Sequence, residues 1–162
     1  MPIRDATAAD FDAIAAITNH YILTTPIHFA YDPVPAADLR AAWESNRATH
    51  PYLVLEDGAS DVIGYARAYQ WRTRSAYDRT AEVGIYLRHD LLGRGHGKPL
   101  YIALINACRA RGFHSLIGGI ALPNDASIRL HESLGFTHTG TVREAGRKFE
   151  RWHDVGFWQL LL

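Results

Sequence analysis

The stretch Gly93-Arg94-Gly95-His96-Gly97-Lys98, with three glycines in six residues, is the most chemically informative part of this chain. A backbone without Cβ atoms can pass close to a ligand. The unpaired N–H groups of a helix starting there, at the positive end of its dipole, form an anion site suited to a pyrophosphate. The competing reading is a tight strand-to-helix connection with no ligand. Two familiar phosphate motifs are excluded. A P-loop needs Gly five residues before Gly97 and Ser or Thr after Lys98, where this chain has Leu92 and Pro99. A dinucleotide fingerprint needs its third glycine where Lys98 stands. A second cluster is Arg72 and Arg74, which share a side if their segment is extended and can clamp a carboxylate or a phosphinate-like group. Phe29, Tyr31, Trp71 and Tyr77 can wall such a pocket, with the proline-rich segment between Thr24 and Pro35 as a lid; otherwise the arginines belong to a solvated loop.

These residues need elements to hold them. Ile3 opens a strand, and Thr7 with Asp10 resembles a capping box for a helix whose inner face carries Phe11, Ile14, Ile17 and Tyr21. Pro26, Pro33 and Pro35 break the chain before a second helix through Leu39 and Trp43 that Pro51 ends. Tyr52-Leu53-Val54-Leu55 and Val62-Ile63-Gly64-Tyr65-Ala66, joined through Asp57-Gly58, read as a hairpin. Val83 to Leu87 reads as a buried central strand leading through the glycine turn into a helix, with Leu100, Leu104, Ala107 and Cys108 inward and Gly112 as its stop. Ser115 to Leu122 is a strand, Ser127 to Leu134 a helix stopped by Gly135, and two strands fill the remainder. The expected order is βααββββαβαββ, an α/β fold with a mixed sheet and helices on both faces.

Bulk properties agree. At 162 residues the chain reads as one domain over 1–162, and 48% hydrophobic with 21% charged residues is ordinary globular composition. Lys+Arg 17 against Asp+Glu 17 removes the electrostatic footprint of a nucleic-acid or anionic-membrane binder and favours small-molecule partners. A lone Cys108 excludes an intramolecular disulfide or a thiolate metal cluster, so no metal is expected, and one thiol suits a reducing, cytoplasmic setting. No run reaches the ~20 apolar residues of a membrane span, and the first five residues do not read as a signal peptide.

The glycine turn resembles the pyrophosphate loop Gln/Arg-x-x-Gly-x-Gly/Ala of the GNAT superfamily of acetyl-CoA-dependent N-acetyltransferases. Gly95 and Gly97 match it and Leu92 departs at the first position. Leu122-Pro123-Asn124 followed by a short helix ending in Leu134-Gly135-Phe136 is similar to that family's second signature. The likeness narrows to the phosphinothricin and methionine-sulfoximine acetyltransferases through Trp71-Arg72-x-Arg74-x-Ala76-Tyr77, Gly146-Arg147-Lys148 and Arg151-Trp152-His153-Asp154-Val155-Gly156-Phe157-Trp158. It runs from Ile3 to Trp158.

The resemblance implies a mostly antiparallel sheet splayed at its central strands, so that acetyl-CoA completes it. Ile85, Tyr86 and Leu87 would pair with the pantetheine arm, Gly93, Arg94, Gly95, His96, Gly97 and Lys98 would hold the pyrophosphate, and Asn124 and Ser133 would also face the cofactor. Asn124 can equally be a helix N-cap. Acetyl transfer needs a neutral amine and an exit for the thiolate. Glu82 is the expected general base, the alternative being a strand carboxylate paired with Arg79. His131 stands where many relatives carry a Tyr that protonates the thiolate, the alternative being a helix-surface histidine. Phe29, Arg72, Arg74, Ser75, Ala76 and Tyr77 are the expected acceptor contacts. Arg147, Lys148 and His153 are expected either at the site or in a dimer contact, relatives suggesting a homodimer. The expected reaction is direct attack by the α-amino group of a methionine sulfoximine, methionine sulfone or phosphinothricin type of acceptor. The alternatives are another amine, such as a protein N-terminus, polyamine or aminoglycoside, or a non-catalytic acyl-CoA sensor.

Overall fold

Local chemistry shapes the first elements of the computed structural model, which describes all of residues 1–162. After strand β1 (Ile3–Asp5), the Asp10 carboxylate accepts the Thr7 backbone N–H at 2.6 Å and the Thr7 hydroxyl at 3.0 Å, as the capping residues predict. Helix α1 (Phe11–Thr24) then buries Phe11, Ile14, Ile17 and Tyr21. Helix α2 (Ala36–Asn46) follows Pro35 and packs Leu39 and Trp43 beside α1 without burying any residue fully. It ends at Asn46, short of Pro51. Strands β2 (Tyr52–Glu56) and β3 (Val62–Gln70) form the expected hairpin, whose Asp57 carboxylate accepts the N–H groups of Ala59 and Asp61. Strand β4 (Thr80–Leu87), helix α3 (Gly97–Ala110), strand β5 (Ser115–Ala121), helix α4 (Asp125–Glu132) and strands β6 (Thr137–Lys148) and β7 (Arg151–Leu161) complete the chain.

Three strands, not four, lie between α2 and α3. The segment after Gln70 carries only a single 3-10 turn at Ser75–Tyr77, because its polar, exposed residues have no face to bury. Helix α4 begins two residues earlier than expected, since the Asn124 side-chain oxygen accepts the Ser127 N–H at 3.2 Å and so caps it.

The seven strands lie in the order β1-β2-β3-β4-β5-β7-β6, and every neighbouring pair is antiparallel except β4 with β5. Both faces are covered. Along β2, Leu53 and Leu55 join the core under α3 with Leu100, Leu104 and Cys108, while Tyr52 and Val54 join the core under α1 with Phe11, Ile14 and Tyr65. Arg4 closes the α1 side, its guanidinium donating to Asp10 and Glu56 at 2.8 Å each.

The β4–β5 ladder is short. It pairs Thr80 with Ser115 through Val83 with Gly118 and stops. Beyond that point β4 stays with β3 as far as Leu87 opposite Gly64, and β5 stays with β7 as far as Ala121 opposite Val155. The two middle strands therefore part, and one side of Gly84–Leu87 has no strand to pair with. Unpaired strand backbone seeks hydrogen bonds, so the opening is itself a docking edge for an extended ligand.

Candidate active site

A cleft of about 450 Å³ fills the gap between β4 and β5. Ile85, Tyr86, Leu87, Gly93, Gly95, His96, Gly97, Lys98, Asn124 and His131 line it, so most of the expected cofactor contacts, with His131, meet around one opening. Gly93 and Gly95 adopt φ of +74° and +82°, which side chains rarely tolerate. Helix α3 starts at Gly97 with Pro99 in its first turn, and aims its free N–H groups at the mouth of the cleft.

Two of the expected cofactor contacts are not in the lining, and neither are Glu82 or the expected acceptor contacts Phe29, Arg72, Arg74, Ser75, Ala76 and Tyr77. Arg94 is exposed between the left-handed glycines, which turn its side chain outwards. Ser133 sits past the end of α4, exposed, with its hydroxyl donating to the Leu130 carbonyl at 2.9 Å. Conversely, Tyr21, Gly119, Ser127 and Arg129 line the cleft without having been identified from the sequence. Tyr21 donates to the Leu87 carbonyl at 2.7 Å. Burial pushes its hydroxyl up to about 12, so it stays a donor at any ordinary pH.

Glu82 lies on the α1 side of the sheet, opposite Tyr69 across the β3–β4 ladder, and next to the last closed pair of the β4–β5 ladder. Its carboxylate passes close to the Cα of Gly119: a Cβ added there would lie 3.4 Å from both Glu82 Oε1 and the Phe157 ring. Desolvation raises the carboxyl above its ordinary value, while the Tyr69 hydroxyl and the Arg72 and Arg67 guanidinium groups oppose that rise. Arg79, the alternative partner, instead donates to the Gly112 carbonyl at 3.0 Å, so the paired-strand reading of Glu82 is not met.

His131 is not on a helix surface. It is 4% exposed, with Tyr101 Oη 2.8 Å from Nε2 and the Ser127 carbonyl 2.8 Å from Nδ1. A carbonyl can only accept, so Nδ1 carries the proton and Nε2 accepts from the Tyr101 hydroxyl. Burial also lowers the imidazole below its ordinary value, which keeps it neutral. The expectation that His131 donates a proton to the thiolate is therefore not met by this geometry, because its single proton is committed to Ser127. Cys108 is buried on α3 with its thiol pushed up to about 12, and so is no nucleophile.

The arginine loop is exposed and irregular. Arg72 lies over the Trp71 ring at 4.2 Å and Arg74 over the Tyr77 ring at 5.8 Å, each on its own aromatic platform. Trp71 meets Phe157 edge-on at 5.8 Å, which brings this loop to the side of Gly119 and Glu82. Ser75 and Ala76 are exposed within the 3-10 turn. Across the chamber, Phe29 packs against Gly146 and lies 6.3 Å from the His153 ring, and the Tyr31 hydroxyl donates to the Arg147 carbonyl. Lys148 is buried and donates to the carbonyls of Ile22 and His28. It fastens the proline-rich segment to the end of β6. No group of His, Cys, Asp and Glu side chains is arranged to hold a metal ion.

Comparison with known proteins places these features in a family. An acetyltransferase (GNAT) domain model matches residues 3–156. The chain is 45% identical over 158 residues to a phosphinothricin N-acetyltransferase of Streptomyces viridochromogenes, covering 97% of this chain and 85% of that one. It is 41% identical over 162 residues to an L-methionine sulfoximine/L-methionine sulfone acetyltransferase of Pseudomonas aeruginosa, covering 99% and 94%. A phosphinothricin acetyltransferase of Sinorhizobium meliloti solved in complex with acetyl-CoA superimposes with a TM-score of 0.96 at 35% identity, over 99% of this chain and 88% of that one.

Proposed function

This chain belongs to the GNAT acetyltransferase family and is an acetyl-CoA-dependent N-acetyltransferase, and we propose that it acetylates the α-amino group of a small amino-acid-like acceptor of the phosphinothricin, methionine sulfoximine or methionine sulfone type. The observation that carries this reading is the opened β4 edge, with Glu82 on one side of it and an arginine loop bounding the chamber beyond. The residues present suit the cofactor: a turn with two left-handed glycines, a helix start for the diphosphate, and an unpaired strand edge for the arm.

Acetyl-CoA supplies an activated thioester carbonyl. The chain's own groups do the rest. Backbone amides of residues 93–98 hold the diphosphate, and the free side of Ile85–Leu87 orients the arm. Glu82, its basicity raised by burial, takes a proton from the acceptor ammonium directly or through a water; the neutral amine would then attack the thioester carbonyl, the carbon–sulfur bond would break, and the departing thiolate would take up the second proton that the amine nitrogen sheds. Arg72 and Arg74 draw the acceptor carboxylate to the chamber. His131 stays neutral and braces α4 against α3 through Tyr101. Direct attack in a ternary complex is favoured, since the only cysteine is buried and protonated.

Thiol release from acetyl-CoA, measured with phosphinothricin, methionine sulfoximine and methionine sulfone against peptide, polyamine and aminoglycoside acceptors, tests the reading. Turnover confined to the amino-acid analogues is expected. Turnover only with the other amines would refute the acceptor, and coenzyme A binding without turnover of any amine would mean a sensor.

We also read residues 1–162 as one cytoplasmic domain that forms a homodimer. A single sheet with a core on each face supports one folding unit, and no helix is long and apolar enough to cross a membrane. Exposed Val142, Phe149 and Trp152 on the β6–β7 hairpin, at the sheet's outer edge, are the surface such a dimer would cover. Light scattering during size-exclusion chromatography reads the state directly.

A further inference from the structure

Arg67 is a guanidinium without a counter-ion. It stands on β3 opposite Gly84, two pairs along from Tyr69 and Glu82, and on the same face as both. Its Nε is buried with no hydrogen-bond acceptor. It takes part in none of the protein's ion pairs, which join Arg4 to Asp10 and Glu56, Arg40 to Glu44 and Arg88 to Asp90. An arginine stays protonated at any ordinary pH, so this charge cannot escape by titration.

Its surroundings sharpen the point. The guanidinium lies over the Tyr69 ring at 4.9 Å, and Tyr52, Tyr65 and Tyr86 form the rest of its aromatic enclosure. It bears electrostatically on His28 and on Glu82, the latter two residues from Gly84 along the facing strand and on the same face. Arg72 also bears on Glu82, and Lys148 on His28. Lys148 spends its protons on two carbonyls, and Arg72 lies out on its loop. A partly desolvated cation left unpaired is costly unless a ligand completes it. The opposite residue, Gly84, leaves room, its nearest neighbour to an added Cβ being Tyr86 Cε2 at 3.7 Å.

We infer that Arg67 reads a negative charge at the far end of the acceptor side chain, so that the acceptors are amino acids whose side chain ends in a carboxylate or phosphinate. This rests on the acetyl-transfer reading above and names its substrate class. Arg72 and Arg74 at the loop receive the α-carboxylate, Glu82 receives the ammonium proton, and the side-chain anion reaches Arg67. A side chain ending in a neutral sulfone occupies the same space without the ion pair.

Phosphinothricin and methionine sulfone make a matched pair, since a methylphosphinate and a methylsulfone have nearly the same shape and differ by one charge. The test is kcat/KM for both acceptors with the wild-type enzyme, Arg67→Gln and Arg67→Lys. The wild type should favour phosphinothricin. In R67Q the ratio of the phosphinothricin value to the methionine sulfone value should fall about 10- to 100-fold, mostly through KM, the size expected when one charge-assisted contact is lost, because any change at Glu82 acts on both acceptors alike. R67K should fall between. Retained sulfone turnover shows that the variant is folded. Equal losses for both acceptors, or a wild type indifferent to the charge, would overturn the assignment while leaving acetyl transfer to amino acids intact. If the wild type turns over neither acceptor, the acceptor reading and the role of Arg67 fall together. Should R67Q not fold, the wild-type preference and its change in R67K still decide the matter.

Discussion

The Tyr21 hydroxyl donates to the Leu87 carbonyl at 2.7 Å, tying the last turns of α1 to the far end of β4 where that strand has lost its neighbour. The bond joins residues that are 66 positions apart and holds in place an edge that would otherwise fray. Tyr21→Phe removes the donor and little else. Stability should drop by about 1 kcal/mol. The looser edge should also raise the KM for acetyl-CoA several-fold with kcat nearly unchanged, and thermal melts with steady-state kinetics read both effects.

Glu82→Gln tests the base itself. The amide keeps the size and loses the basicity, so kcat should fall about 10²- to 10⁴-fold while coenzyme A affinity by calorimetry stays unchanged. Because burial raises the Glu82 carboxyl in the folded enzyme, the acid limb of the pH–kcat/KM profile should lie above the ordinary carboxyl value of 4.5. Activity is present above that limb and lost as pH falls through it. A limb that persists in the glutamine variant would assign it to another group.

The three glycines of the turn should not be equivalent. Gly93 and Gly95 sit at positive φ, so Ala at either strains the backbone that carries the diphosphate amides, costing about 1 kcal/mol or more and weakening coenzyme A binding. Gly97 has ordinary helical backbone, and a Cβ there would meet Leu130, Leu87 and Ile85 at 3.5–3.8 Å, which is normal contact. Gly97→Ala should therefore keep stability and binding near wild type. Coenzyme A titration of the three variants by calorimetry separates them; a uniform loss would mean that space rather than conformation set the requirement.

Which of these features sequence reading reaches depends on how far along the chain their cause lies. The Thr7 and Asp10 cap, the Asp57-Gly58 hairpin and the glycine turn are each decided within six residues, and all three appear as expected. The opening between β4 and β5 is legible only through the family resemblance, since nothing in Val83 to Leu87 says where a ladder stops. His131 and Lys148 look like ordinary polar residues of a helix and a strand. Their burial depends on Tyr101, 30 positions away, and on the Ile22 carbonyl, 126 positions away. Arg67 was invisible for the same reason: its isolation is a property of what fails to reach it.

Buried His131 and half-buried His28 and His50 make stability pH-dependent in a way that can be measured. His131, His28 and His50 are each lowered, with desolvation as the largest cause; Arg67 and Lys148 add to it for His28 and Arg111 for His50. Each lowered value means that the unfolded chain binds a proton more readily than the folded one. Their contribution is thus fully present above the unfolded value of about 6.5 and lost as pH falls from there towards the folded values. Chemical denaturation at pH 7.5 and pH 5.5 should give a lower stability at the acid point with an unchanged m-value. His131→Gln should flatten part of that slope while costing stability overall, since glutamine cannot meet Tyr101 and Ser127 together as the ring does. If His131 also donated the proton to the thiolate, the same variant would in addition remove the alkaline limb of kcat. The two measurements on one variant therefore tell a structural brace from a proton donor.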